Sequence, residues 1–148
     1  MPCQNDEHAA GQNFMNQQIA KSDTMNNIKN ITPAAAFAMT KKGALFVDVR
    51  EPREIARKAF DVPDIMLIPL STFEQRFQEI PVNRNLIIVC NSGNRSLTAG
   101  RLLLNRGYRK VVNMQYGIVG WDKEGLPIKR KPQRNLWSLL LQMFRNMS

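Results

Sequence analysis

Four consecutive apolar residues, Leu86-Ile87-Ile88-Val89, stop at Cys90. A polar stretch, Asn91-Ser92-Gly93-Asn94-Arg95-Ser96, then leads into apolar positions at Leu97, Gly100, Leu103 and Leu104. A short apolar run bounded by turn residues reads as a strand buried on both faces, and the spacing that follows reads as a helix. This strand–turn–helix delivers one cysteine to the carboxyl end of the strand. The backbone N–H groups of the turn and the positive end of the helix then face the sulfur. With Arg95 nearby, those donors favour thiolate over thiol, and the thiolate is the nucleophilic form. The same cradle would hold an oxyanion brought to that sulfur. A cysteine buried only for packing needs no Gly93, no Arg95 and no Ser/Asn-rich turn beside it.

The flanking patterns predict an α/β domain, a central parallel sheet with helices on both faces. A strand over 28–31 is followed by Thr32 as N-cap, Pro33 at the first helical position and Gly43 as stop, framing a helix over 33–41. Residues 44–49 form a second buried strand, and Pro52 starts a short helix over 51–58. A strand over 65–68 precedes a helix capped by Ser71, with Phe73, Phe77 and Ile80 on one face. The strand 86–89, a helix 96–106 ending at Gly107, and a strand 110–114 complete the pattern. Ligands of such sheets sit beyond the carboxyl ends of the strands, where Asp48, Arg50 and Cys90 fall.

A length of 148 residues allows one domain and two tails. Residues 1–26 read as a flexible tail, 27–128 as the domain, and 129–148 as a basic linker with an added amphipathic helix. The net charge of +9 is uneven. Lys129, Arg130, Lys131, Arg134 and Arg145 stand in the last segment with no acid, whereas residues 1–27 carry Asp6, Glu7 and Asp23 against Lys21. The positive balance suits anionic substrates, but no motif pairs bases with stacking aromatics, and no nucleic-acid partner is expected. Cys3 and Cys90 do not make a disulfide scaffold. The tail of Gln, Asn and Met has no apolar signal region, so a cytoplasmic setting is expected. The single histidine, His8, lies in that tail, too far in sequence to pair with Cys90 unless the tail folds back. No metal site and no cofactor are expected.

The stretch Cys90-Asn91-Ser92-Gly93-Asn94-Arg95-Ser96 resembles the active-site loop of the rhodanese-like (sulfurtransferase) family, C-x-x-G-x-[RK]-[ST]. Further matches follow in order from about Ile28 to Ile128. Ile31-Thr32-Pro33-Ala34 is similar to the family's opening strand and helix, Asp48-Val49-Arg50-Glu51-Pro52 to its "DVRE-P" strand end, and Ile68-Pro69-Leu70 to its "IPL" segment. Gly107-Tyr108, Val111-Val112 and Gly117-Ile118-Val119-Gly120-Trp121 fit its last strand, and Gly125-Leu126-Pro127 closes the domain. Two places depart from the pattern. Lys58 to Asp64 replaces the Gly-His and Pro-Gly-Ala of many members, and Tyr116-Gly117 replaces a Gly-Gly. Both bear on the shape of the cleft mouth and leave the loop intact.

The resemblance implies a sulfurtransferase. Cys90 would attack a sulfane sulfur of a small anion such as thiosulfate or polysulfide, or of a protein persulfide, and pass it to a thiol or cyanide. Asn91, Ser92, Gly93, Asn94, Arg95 and Ser96 would bind the substrate through backbone donors. Arg95 either meets the donor's anionic end or pins the loop, and Ser96 caps the helix. Asp48 and Arg50 either touch the substrate at the cleft rim or brace it as an ion pair, and Trp121 packs in the core. Two alternatives stand beside this reading. One is a regulatory or sulfur-carrier binding domain without turnover. The other is a cysteine-dependent phosphatase, whose loop places five residues between cysteine and arginine where this chain has four. In the C-terminal segment Leu136, Leu139, Leu140, Met143 and Met147 line one helical face, widened by Trp137, Leu141 and Phe144. That face packs back on the domain, forms a homodimer, or meets an anionic membrane surface through 136–147. It is too short to span a membrane.

Overall fold

A computed structural model describes residues 27–131 and 136–147 of the protein. The expected N-terminal tail, with Cys3 and His8, lies outside the described residues, as do residues 132–135 of the linker. Five strands pair in parallel: β1 (Lys29–Ile31), β2 (Leu45–Asp48), β4 (Ile65–Leu67), β5 (Leu86–Val89) and β6 (Val111–Met114), in the order β1-β6-β5-β2-β4. The expected parallel α/β sheet is therefore present, with β5 at its centre.

Strand geometry sends successive side chains to opposite faces, and both faces are covered. Leu45, Val47, Leu86 and Ile88 pack on one side with Phe73, Ile80, Ala99 and Leu103. Phe46, Ile87 and Val89 pack on the other with Ala36, Ile118 and Trp121. The first layer comes from α3 (Phe73–Arg76) and α4 (Asn94–Asn105), the second from α1 (Pro33–Thr40) and α5 (Gly117–Lys123). The Thr32 hydroxyl accepts the Ala35 N–H at 3.1 Å, and Pro33 opens α1, so that start follows the expected chemistry.

Trp121 anchors the second layer. It is fully buried, its ring meets those of Phe37, Phe46 and Phe60 edge-on at 5.4–5.8 Å, and its Nε1–H donates to the Pro127 carbonyl. Aromatic edges and an internal acceptor together leave no polar atom of this side chain unpaired.

Three local expectations are corrected, and one element is added. The helix expected from Ser71 is broken into a 3₁₀ turn (Leu70–Thr72), the single turn α3, and a second 3₁₀ turn (Phe77–Glu79), and Ser71 sits inside the first turn rather than capping. Ile80 must be extended because Pro81 follows, so no regular helix can run through it. The segment Gly117–Trp121, expected as a last strand, is the helix α5. Tyr116 and Gly117 adopt left-handed backbone and turn the chain, after which Ile118 and Trp121 point inward and Val119 outward at helical spacing. Helix α4 starts at Asn94, two residues earlier than expected. A small antiparallel pair was not foreseen: β3 (Lys58–Phe60) with β7 (Ile128–Arg130), which ties the chain to the domain as far as Arg130.

The last helix, α6 (Leu136–Arg145), was expected, but every one of its side chains described from Trp137 onward is exposed, so it does not pack back as a buried element. Among the described residues no helix is long and apolar enough to cross a membrane.

Trp121→Ala removes the ring shared by three aromatic neighbours and one of the two N–H donors to the Pro127 carbonyl, which keeps that of Asp61. It is expected to cost about 3–5 kcal/mol, read as a lower denaturant midpoint with the slope unchanged.

Candidate active site

Strands β2 and β5 are neighbours, with Asp48 opposite Val89. From β2 the chain moves outward to β4 on one side, and from β5 it moves to β6 on the other. This reversal leaves a crevice at the carboxyl ends of the two central strands. Asp48 ends β2 there, and Cys90 follows β5.

The loop after β5 folds around the sulfur. Cys90 is fully buried; the Gly93 N–H donates to its Sγ at 3.0 Å, and the Ser96 hydroxyl lies 3.3 Å from it. Gly93 is the N-cap of α4 with φ +102°, a conformation that side-chain-bearing residues resist, and a Cβ there would come within 3.0 Å of the Tyr116 nitrogen. Because α4 starts at Asn94, Ser96 stands in its first turn and faces back to the sulfur instead of capping. No side chain caps the helix, so its first N–H groups open toward the loop. An anionic sulfur at this position would sit among an amide, a hydroxyl and the positive end of a twelve-residue helix. Asn91, Ser92 and Asn94 are exposed around it.

Two further elements hold the loop from behind. The first is the start of α5: Ile118 N–H donates to the Cys90 carbonyl at 2.9 Å and Val119 N–H to the Asn91 carbonyl at 3.2 Å. This contact is so close that a Cβ on Gly117 would lie 2.2 Å from the Asn91 oxygen and 2.5 Å from the Cys90 oxygen. The second is Asn113 of β6, buried, whose Nδ2 donates to Asn30 Oδ1 at 2.9 Å and to the Gly93 carbonyl at 3.4 Å.

A cleft of about 310 Å³ opens beside the loop, lined by Arg50, Arg53, Glu54, Arg57, Lys58, Asn91 and Ile118. Arg50 and Asp48 form a buried ion pair in its floor: Nε and Nη2 donate to the carboxylate at 2.7–3.2 Å, and Nη1 donates to the Lys58 carbonyl at 2.8 Å. Both partners are buried, so the pair braces β2 against β3 from beneath. Arg95 is committed to a carboxylate of the neighbouring helix. Its Nη1 and Nη2 make a bidentate pair with Glu54 at 2.8 and 2.6 Å. Glu54, from α2 (Pro52–Arg57), also accepts the Glu51 N–H at 2.9 Å. Hydrogen bonds from Arg95, assisted by that amide and opposed by partial burial, hold the Glu54 carboxyl down at about 2. Lys58 pairs with Asp122 at 2.8 Å. Arg53 and Arg57 are exposed on the cleft, and neither pairs with a carboxylate among the described residues. A larger cleft, about 520 Å³, lies at the opposite end of the sheet around Lys29, Tyr108 and Val111, and no cysteine lines it. Among the described residues no cluster of His, Cys, Asp and Glu could bind a metal ion.

Of the residues expected at the site, Cys90, Gly93 and Ser96 meet at the sulfur, and Asn91, Ser92 and Asn94 ring its mouth. Arg95, Asp48 and Arg50 all engage in ion pairs. Sequence reasoning missed Glu54 and Asn113, along with the cations Arg53 and Arg57, and read Tyr116-Gly117 as bearing only on the cleft mouth, whereas Gly117 lies directly against the loop carbonyls. An amide interrupting the apolar strand Val111-Val112-Asn113-Met114 was the legible signal for Asn113. For Arg53 and Arg57 the signal was their spacing of four on one short helix.

Comparison with known proteins matches the rhodanese-like domain to residues 32–124. A protein named sulfurtransferase from Allochromatium vinosum is 42% identical over 84 residues, covering 57% of this chain and 77% of that protein. Thiosulfate sulfurtransferase GlpE from Pseudomonas syringae pv. syringae is 30% identical over 97 residues, covering 66% and 90% of the two chains. Among solved structures, a rhodanese-related protein from Thermoplasma volcanium superposes with a TM-score of 0.61 at 26% identity, covering 70% of this chain and 99% of that one.

Two outcomes test the loop's supports. Gly117→Ala is expected to lose at least about 2 kcal/mol of stability and to displace the Cys90 loop, read by denaturation and by a changed rate of Cys90 alkylation. For Glu54, whose folded-state carboxyl is depressed to about 2 from an ordinary 4.5, the pairing contributes fully above pH 4.5 and is lost as pH falls toward 2. Between those limits the wild-type melting temperature should fall more steeply with acid than that of Glu54→Gln.

Proposed function

The chain belongs to the rhodanese-like domain family, and we propose that it is a sulfurtransferase in which Cys90 carries the transferred sulfur as a persulfide. The observation that carries this reading is the Gly93 amide aimed at the Cys90 sulfur at 3.0 Å, at the head of a helix and beside a cation-lined cleft. Relatives named sulfurtransferase support sulfur transfer as the general activity.

With thiosulfate as donor, the Cys90 thiolate attacks the outer sulfur. A Cys90–sulfur bond forms, the sulfur–sulfur bond of the donor breaks, and sulfite leaves with the bonding electron pair. The enzyme then holds Cys–S–S⁻. An acceptor nucleophile, a thiolate or cyanide, attacks the terminal sulfur. The Cys90 thiolate is released, and a persulfide or thiocyanate departs. Two easier displacements replace one, with no net proton transfer within the loop when both nucleophiles enter as anions.

Each residue near the sulfur has a role in this scheme. The Gly93 N–H, the Ser96 hydroxyl and the open N–H groups of α4 hold the negative charge in both the thiolate and the persulfide. Arg53 and Arg57 draw the dianion into the cleft. Arg95 acts as a positioning residue, locking the loop to α2 through Glu54. Asp48 and Arg50 support the cleft floor. A phosphatase needs its loop arginine turned onto the phosphate. Arg95 is instead committed to Glu54, and only four residues separate it from Cys90, which favours a cradle sized for a single sulfur atom.

The test is thiocyanate production from thiosulfate and cyanide. Cys90→Ser is expected to abolish it, because an alcohol does not form the persulfide, whereas Cys3→Ser should retain the wild-type rate. The double variant Arg53→Ala/Arg57→Ala should raise KM for thiosulfate roughly three- to tenfold with kcat little changed, the size expected for exposed cations acting on an anion in water. Thiocyanate formation by Cys90→Ser at the wild-type rate would contradict the proposal.

A further inference from the structure

Building on the sulfurtransferase reading, we infer that Tyr116, with Val119 beside it, selects the acceptor of the sulfur carried by Cys90. The acceptors it favours are thiols borne on an apolar or aromatic body. Two local costs meet at this side chain. The first lies in the backbone: among the described residues Tyr116 is the one residue other than glycine with positive φ, at +68°. A side chain resists this conformation, and glycine, the residue of the family pattern at this position, adopts it freely. The second is Gly120, inside α5, where glycine is a poor helix former beside alanine. A Cβ on Gly120 would stand 2.5 Å from the Tyr116 Cβ, 3.5 Å from its Cγ and 3.4 Å from the Pro33 Cγ. Gly120 therefore makes the seat on which the base of the Tyr116 side chain rests.

These costs bring little packing in return. Tyr116 is 62% exposed, and its ring and hydroxyl meet no aromatic or hydrogen-bonding partner among the described residues. A residue that breaks local rules without a gain in burial marks a functional position.

Tyr116 also stands at the sulfur loop. A Cβ on Gly93 would come within 3.0 Å of the Tyr116 nitrogen, and the Gly93 N–H is the donor to the Cys90 sulfur. Val119, three residues on and so on the same side of α5, donates its N–H to the Asn91 carbonyl and is 41% exposed. Among the described residues before α6, the large apolar side chains left exposed are Leu67, Val82, Tyr116 and Val119, and the last two abut this loop. Neither lines the cationic cleft of Arg53 and Arg57. The loop is thus flanked by a charged surface that suits a small anionic donor and by an apolar one that offers thiosulfate or cyanide nothing.

From the apolar side, an acceptor thiolate R–S⁻ attacks the terminal sulfur of Cys90–S–S⁻. A bond forms between that sulfur and the acceptor sulfur, and the bond to the Cys90 Sγ breaks with its electron pair. R–S–S⁻ leaves, and the Cys90 thiolate is restored. An apolar R rests against the Tyr116 ring and Val119 while the bond forms, a contact that raises the rate roughly three- to tenfold. Cyanide has no such body and serves as the reference.

The test loads the full chain with thiosulfate, removes the donor, and follows loss of the added sulfur from Cys90 by quenched intact-mass spectrometry. The acceptors are phenylmethanethiol and 2-mercaptoethanol at equal thiolate concentration, and cyanide. Ratios of rates are compared, so a change in Cys90 chemistry common to all acceptors cancels. Wild-type protein should prefer phenylmethanethiol to 2-mercaptoethanol roughly three- to tenfold. Tyr116→Gly relieves the left-handed strain and should retain the fold, but it should abolish this preference and lower the ratio of phenylmethanethiol to cyanide by the same factor. Tyr116→Phe, which keeps the ring, should keep both ratios. The inference is overturned if the wild type shows no preference, if Tyr116→Gly retains it, or if Tyr116→Phe loses it. Failure of Cys90 to take up sulfur overturns the sulfurtransferase reading together with this inference, whereas uptake followed by discharge without preference overturns this inference alone.

Discussion

The site depends on how closely the start of α5 approaches the loop after β5. Two loop carbonyls, those of Cys90 and Asn91, receive their hydrogen bonds from Ile118 and Val119, and the contact exists because Gly117 has no Cβ to collide with them. A loop whose carbonyls are so pinned has its own N–H groups left facing the other way, toward the sulfur. The Gly93 amide reaches Cys90 as a result, and Asn113 secures the Gly93 carbonyl from β6. Tyr116, with φ +68°, accepts left-handed backbone beside this contact, a conformation that costs a non-glycine residue roughly 1 kcal/mol or more. The packing of α5 through Trp121 and Ile118 offsets that strain.

Around this scaffold, charges are arranged by depth. The buried Asp48–Arg50 pair is structural: removing either partner would leave a desolvated charge, which is why such pairs are costly to break even where forming them gains little. Halfway out, Glu54 and Arg95 tie α2 to α4, and Lys58, Asp122 and Arg130 tie β3, α5 and β7 together. Only at the surface do Arg53 and Arg57 stand without carboxylate partners among the described residues. Cations that could bind an anion are thus separated from cations that hold the fold. That division lets the cleft attract an anion without loosening the loop.

Much of this was legible in the chain before any coordinates. Continuous apolar runs located β2 and β5 because a strand buried on both faces needs no alternation, and Thr32-Pro33 located α1 because its cap chemistry is local. The loop Cys90 to Ser96 was legible for the same reason, since its donors come from its own backbone. What escaped notice was set by tertiary contact. The resemblance placed Gly117 to Trp121 with the last strand, and only the left-handed turn at Tyr116-Gly117 makes this segment helical. β3 and β7 are three residues each and pair across the domain, so neither carries a pattern alone. Arg95 was left between two roles because its partner, Glu54, lies 41 positions away. Ser96 read as a cap until the helix proved to begin at Asn94, which turned its hydroxyl to the sulfur.

The central claim, that Cys90 itself carries the sulfur, is tested most directly by intact-mass spectrometry of the protein after incubation with thiosulfate and removal of excess donor, followed by peptide mapping. The account predicts the addition of one sulfur atom, located on Cys90, discharged by cyanide and absent from Cys90→Ser. Thiocyanate production with no sulfur on Cys90, or the same mass increase in Cys90→Ser, would contradict it.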